Sequence, residues 1–211
     1  MQHARTLEID GCFYGRIESV QPRFDPYSFR GKGEMWAAVN KLRSVVSATE
    51  TISSSIHAEM ESWYALLMDQ YPEADDSYPK RLSKNFGARK TFAADLEVAM
   101  RSELPTRLFQ ELKTKLNNKV LCTTSTGHVA LVLGEAQVGD RVFVARGATN
   151  PFVLRPAVAD KTYDEVKEAN GVSTLYRFVG GSCVHGIMDG EVLEMIGKAA
   201  KDVKEETVLL V

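Results

Sequence analysis

The sequence lacks an excess of positive charge. Its 26 Lys and Arg residues are outnumbered by 28 Asp and Glu residues, which leaves a formal net charge of −2. Proteins that bind nucleic acid usually carry a basic surplus on one face, because much of their affinity comes from phosphate contacts. The charge balance therefore predicts no nucleic-acid partner.

Cysteine is also scarce. Cys12, Cys122 and Cys183 are an odd number at wide spacings, and the sequence contains no Cys-x-x-Cys pair. Such pairs hold structural zinc or cycle between dithiol and disulfide, so their absence argues against both kinds of site. The pattern predicts a reducing, cytoplasmic location and a fold that needs no disulfide, metal or cofactor.

Long hydrophobic runs are missing as well. No apolar stretch approaches the roughly 20 residues of a membrane-spanning helix, and the first residues lack the apolar segment of a secretory signal. The sequence therefore predicts no membrane partner. At 211 residues, with 44% hydrophobic and 26% charged residues, the chain has the composition of an ordinary globular protein with a buried core.

The period of the apolar residues divides the chain. Thr6 to Val20 alternates and predicts one long strand, whereas residues 34–117 repeat at three- and four-residue steps, which indicates amphipathic helices. Two prolines predict a surface loop from Pro72 to Lys80. Beyond Asn117, short β-branched and aromatic runs predict strands at Lys119–Thr124, Val129–Leu133, Arg141–Ala145, Phe152–Arg155, Leu175–Val184 and Thr207–Val211.

These patterns together predict an α+β protein. Residues 1–33 form an N-terminal strand and loop, residues 34–117 a helical subdomain, residues 118–190 a small antiparallel β-barrel, and residues 191–211 a terminal helix and strand. The N-terminal strand is expected to complete the barrel. The helical subdomain is then an insertion between barrel strands.

The groups that could react are concentrated in residues 180–190. This stretch, Gly-Gly-Ser-Cys-Val-His-Gly-Ile-Met-Asp-Gly, places Cys183, His185 and Asp189 within seven positions. In a catalytic site Cys183 would be the nucleophile, His185 its base and Asp189 the orienting acid. Side chains at i and i+2 of a strand are about 7 Å apart, whereas a nucleophile and its base need roughly 3 Å. We therefore predict no catalytic residue, and expect the glycines to permit positive φ at bends.

The same polar groups have structural interpretations. One imidazole and one carboxylate on a turn, even with Cys183 or His128 as a third ligand, do not define a metal site, so none is predicted. We predict that His185 and Asp189 are contact residues or bond the backbone of a turn. Arg155 is expected to pair with a carboxylate such as Asp140 or Asp189 as a structural clamp.

Five blocks of sequence resemble the region that follows the HET domain in fungal heterokaryon-incompatibility proteins. In the order of that family they are Leu-Glu-Ile-Asp-Gly at 7–11, Lys-Thr-Phe-Ala-Ala-Asp at 90–95, Val-Gly-Asp-Arg-Val-Phe-Val at 138–144, Pro-Phe-Val-Leu-Arg-Pro at 151–156, and Val-His-Gly-Ile-Met-Asp-Gly-Glu at 184–191. The HET domain itself, which is similar to TIR-type domains and triggers cell death, is expected to be absent from this chain.

The resemblance implies a non-enzymatic recognition or regulatory module in non-self recognition and cell-death signalling, with a protein as its partner. Two alternatives stay open. One is a hydrolase that depends on Cys183 and His185, and the other is a small-ligand-binding barrel, which requires a concave apolar pocket. No feature of the sequence points to an oligomeric state.

Overall fold

The structure, a computed structural model, describes residues 7–49, 62–72, 79–82, 84, 86–101, 105–133, 135–157, 175–188 and 205–211. Its elements in chain order are β1 (Leu7–Val20), α1 (Lys32–Thr49), β2 (Gln70–Pro72), β3 (Pro79–Arg81), α2 (Phe86–Arg101), α3 (Thr106–Leu116), β4 (Lys119–Thr124), β5 (Val129–Leu133), β6 (Arg141–Ala145), β7 (Phe152–Pro156), β8 (Leu175–Val184) and β9 (Glu205–Leu210). Residues 62–66 are also helical. The predicted combination of helices with an antiparallel sheet is confirmed, and the sheet is a large one of seven strands.

Seven strands form one sheet, in the order β4, β5, β8, β7, β6, β1, β9. The long strand β1 pairs with β6 over residues 11–16 and with β4 over residues 17–20. The pairings therefore run from β4 through β5, β8, β7, β6 and β1 back to β4. A register shift between Phe13 and Gly15 lies in the middle of β1, and irregularities of this kind increase the bend and twist of a strand.

Strand β9 forms one antiparallel and one parallel pairing. It is antiparallel to the first half of β1 and parallel to the start of β8, where Leu175 and Tyr176 are paired. Among the described strand pairs, this one is parallel and the others are antiparallel. Alternating hydrophobicity is the same for both directions, so it does not reveal which one a strand adopts.

Side chains on the two faces of the strands belong to separate cores. On β4 and β5, Leu121 and Leu131 pack beneath the helices, whereas the adjacent Cys122 and Ala130 belong to a second core on the opposite face of these strands, here called the inner core. This alternation follows from the period of two along a strand. The inner core is built largely from Val, Ala, Ile and Cys, and a third core lies around Phe143 on the other face of β6.

The helices cover the outer face of β4 and β5. Buried residues recur along α1 at Met35, Val39, Leu42 and Val46, and along α3 at Leu108, Leu112 and Leu116. These three- and four-residue steps place each set on one helix face. The fully buried Trp63 stacks on Trp36 with 5.3 Å between ring centroids, so the helical segment has an aromatic centre.

Several details differ from the sequence predictions. The predicted loop from Pro72 to Lys80 is wrong at its ends, because Gln70–Pro72 pairs with Pro79–Arg81 in a two-stranded sheet. Both strands of such a ribbon have an open edge, which is where proline is tolerated. The predicted terminal helix after Gly190 lies outside the described residues. Within the part of the chain that the structure describes, no helix is long and apolar enough to cross a membrane.

Candidate functional site

Cys183 lies on the outer face of β8, beneath the helical layer. It pairs with Leu131, whose side chain belongs to the core under the helices, and directly paired residues point to the same face. The residue is only 7% exposed, and burial raises the pKa of its thiol to about 11. At neutral pH the sulfur is therefore a protonated thiol, which is a poor nucleophile.

The charged groups that act on this thiol come from the helical segment and its junction with the sheet. Burial is the largest cause of the raised pKa of Cys183; Arg81 and Lys119 lower that pKa, and Asp69 raises it. Arg81 Nε donates a hydrogen bond to Asp69 Oδ2 at 3.0 Å, and Lys119 Nζ donates to the backbone carbonyl of Lys115 at 2.6 Å. These cations already have structural partners, and their effect does not outweigh burial.

His185 lies just after β8, next to a second histidine. Its backbone N–H donates to the Val129 carbonyl at 2.9 Å, which extends the pairing of β5 with β8 by one residue. The following residue, Gly186, has a φ of 85°, and a side chain there would meet the ring of His128. Burial lowers the pKa of His128, and the charge of His185 lowers it further.

His128 is held by groups from distant parts of the chain. Its Nδ1 lies 2.9 Å from the hydroxyl of Tyr14 and 3.1 Å from the Thr126 carbonyl. A carbonyl can only accept, so this contact favours the tautomer with the proton on Nδ1. Tyr14 is 114 residues from His128, and the sequence carries no signal for this contact.

The third member of the predicted catalytic set, Asp189, lies outside the described residues. In the ranges that are described, no group of three or more His, Cys, Asp and Glu side chains could hold a metal ion. The structure thus places Cys183 under the helices and His185 beside His128. Burial raises the pKa of Cys183, whereas a nucleophilic cysteine needs a lowered one.

The glycines of this stretch have different roles. The predicted positive φ is found at Gly186, whereas the prediction is wrong for Gly180 and Gly181. At Gly180 the backbone of Leu133 comes so close that an added Cβ would lie 2.2 Å from the carbonyl oxygen. Close approach of two strands, rather than a left-handed turn, requires glycine there.

Arg155 and Asp140 form a bidentate ion pair. Arg155 Nε donates to Oδ1 at 2.7 Å and Nη2 donates to Oδ2 at 2.8 Å. Nη2 also donates to the Glu135 carbonyl at 2.7 Å, and Oδ2 accepts the Gln137 N–H at 2.8 Å. Hydrogen bonding to the 2% exposed Asp140 raises the pKa of Arg155. The pair fixes the loop before β6 against β7, which is the geometry of a structural clamp.

A group of surface residues was not singled out by the sequence patterns. Lys113 Nζ lies 4.2 Å from the ring centroid of Tyr27, and Lys32 Nζ lies 5.9 Å from that of Phe109. Tyr27 is 69% exposed. These residues come from a loop, from α1 and from α3, so only the folded chain brings them together.

Residues 39–202 match the family model of the Het-6 β-barrel domain, and this range covers well over half of the chain. The chain belongs to the Het-6 β-barrel domain family. This domain is part of the fungal heterokaryon-incompatibility family. The sequence resemblance is therefore confirmed at the level of the family.

The Het-6 match does not include every strand of the sheet. It begins within α1 and ends before β9, so β1 and β9 lie outside it. These two strands nevertheless pair with each other, and β1 also pairs with β4 and β6. No curated protein and no solved structure matches this Het-6 chain.

Proposed function

We propose that this Het-6 domain is a non-enzymatic recognition or regulatory module that binds a protein partner in the cytoplasm during fungal non-self recognition. In this proposal it works with a HET effector domain, which triggers cell death. Family membership supports the biological process. The observation that carries the non-enzymatic part is the state of Cys183, a buried thiol whose pKa is raised to about 11.

The scaffold proposed for this role is a small closed barrel. The circuit of pairings from β4 round to β1 supports closure, and a closed sheet is rigid and has no free edge. Its inner core consists of packed side chains such as Val132, Val142 and Val153, all fully buried. A filled interior supports binding on the outer surface in preference to a small ligand inside the barrel.

The test is an exchange of this domain between two fungal heterokaryon-incompatibility proteins that recognise different partners. We expect the specificity of cell death to follow the exchanged domain, because the domain makes the contacts with the partner. A Cys183→Ala version of each hybrid serves as the matched control and should keep the same specificity. Specificity that stays with the recipient protein, at normal protein level, would contradict recognition. Loss of the response in a folded Cys183→Ala hybrid would favour the hydrolase.

A further inference from the structure

Tyr27 is presented to solvent by a fixed turn. Its backbone N–H donates to Asp25 Oδ1 at 2.9 Å, and Ser28 Oγ donates to the Asp25 carbonyl at 2.7 Å. Phe24, which is 7% exposed, anchors the start of the turn in the core beneath the helices, and its ring packs 5.2 Å from that of Phe29. The backbone is thus held at both ends while the Tyr27 ring remains 69% exposed.

Two lysines flank Tyr27 and the neighbouring aromatic residue of α3. Lys113 Nζ lies 4.2 Å from the ring centroid of Tyr27 and 5.7 Å from that of Phe109. Lys32 Nζ lies 5.9 Å from the Phe109 centroid and donates to Thr106 Oγ1 at 3.2 Å. We call Tyr27, Phe109, Lys32 and Lys113 the lysine–aromatic surface.

The two lysines contribute positive charge to this surface. Among the described residues, neither Lys32 nor Lys113 forms a salt bridge. The two acids of this segment hydrogen-bond to the backbone, since Asp25 accepts the Tyr27 N–H and Glu34 accepts the Arg30 N–H, each at 2.9 Å. An ammonium group has three donors, so both lysines keep N–H groups for a ligand.

We propose that the lysine–aromatic surface binds an acidic segment of the partner protein. Carboxylates complement the two ammonium groups, and the exposed ring of Tyr27 supplies the contact area that protein interfaces take from aromatic residues. Stacking of the lysines on the rings fixes the direction of the charges before binding. A nucleic acid requires a broader basic face than two lysines provide, and this favours an acidic peptide. This inference rests on the proposed function, since it names the chemistry of the partner.

The test is an NMR titration of the whole chain with a short peptide of alternating Glu and Ala, followed at the amides of residues 25–32 and 106–113. We expect saturable shifts there that weaken with added salt. Lys32→Gln combined with Lys113→Gln should weaken binding about tenfold, through loss of two charge contacts. Lys41→Gln with Lys90→Gln, two exposed lysines of α1 and α2, is the matched control and should bind like the wild type.

Four outcomes overturn the proposal. Three are an absence of binding, equal binding by the Lys32→Gln, Lys113→Gln variant, and tighter binding of a single-stranded oligouridine than of the peptide at the same amides. The fourth is binding of a peptide of alternating Gln and Ala, which should cause no shifts and whose binding would show that charge is not recognised. Peptide binding with a failed domain exchange contradicts only the proposed function. A successful exchange without peptide binding contradicts only the assignment of this surface.

Discussion

Replacing Arg155 with methionine is expected to lower the free energy of unfolding by about 3 to 5 kcal/mol. The substitution leaves the carboxylate of Asp140 only 2% exposed and without its bidentate partner. An uncompensated buried charge is far more costly than a lost surface contact. Thermal unfolding should show this as a fall of roughly 10 °C in the midpoint.

The matched control for this prediction is Arg146→Met. Arg146 also contacts a carboxylate, that of Glu205, but their side chains are 70% and 56% exposed. Its replacement should cost no more than about 1 kcal/mol. Adding Asp140→Asn to Arg155→Met should recover part of the loss, since the buried group is then neutral. Equal, small losses for both arginines would show that the clamp does not stabilise the fold.

Replacing Gly180 with alanine is expected to cost about 3 kcal/mol, at the upper end of the usual range for an oversized residue in a packed site. The new Cβ would lie 2.2 Å from the carbonyl oxygen of Leu133, so β5 and β8 must separate. Urea unfolding measures the loss. Hydrogen exchange of the β5 and β8 amides should show that the weakening is centred on this strand pair.

Gly181→Ala is the control for the same measurement. No atom lies within 4 Å of the position that its Cβ would occupy, and its φ is not positive. Alanine at this position should therefore leave stability unchanged or slightly raise it, because it restricts the unfolded chain. Similar losses at Gly180 and Gly181 would contradict the close approach of the two strands.

Much of the secondary structure could be predicted from the sequence because short-range residue patterns determine it. The bounds of β4, β5, β6 and β8 agree with the predicted runs, since alternation and turn residues mark both ends of each strand. Partner choice is not local. The parallel pairing of β9 with β8 and the pairing of Gln70–Pro72 with Pro79–Arg81 depend on contacts that short-range patterns do not contain.

The candidate site shows the same division. The sequence leaves Asp140 and Asp189 open as the carboxylate partner of Arg155, and the structure pairs Arg155 with Asp140. The contact of Tyr14 with His128 and the lysine–aromatic surface join residues far apart in sequence. The sequence around Gly180 predicts a bend there, because it does not reveal that the backbone of Leu133 lies against this glycine in the fold.

The central claim is that Cys183 is not a catalytic nucleophile. Its most direct test is the rate at which iodoacetamide alkylates Cys183, measured as a function of pH. Mass spectrometry of the Cys183 peptide separates it from the other cysteines. With a pKa of about 11 and a buried sulfur, labelling near pH 7 should be at least about 100-fold slower than in the unfolded chain, and should rise only in strongly alkaline solution. Rapid labelling of the folded protein at neutral pH, with a midpoint below that of an ordinary cysteine, would contradict the account.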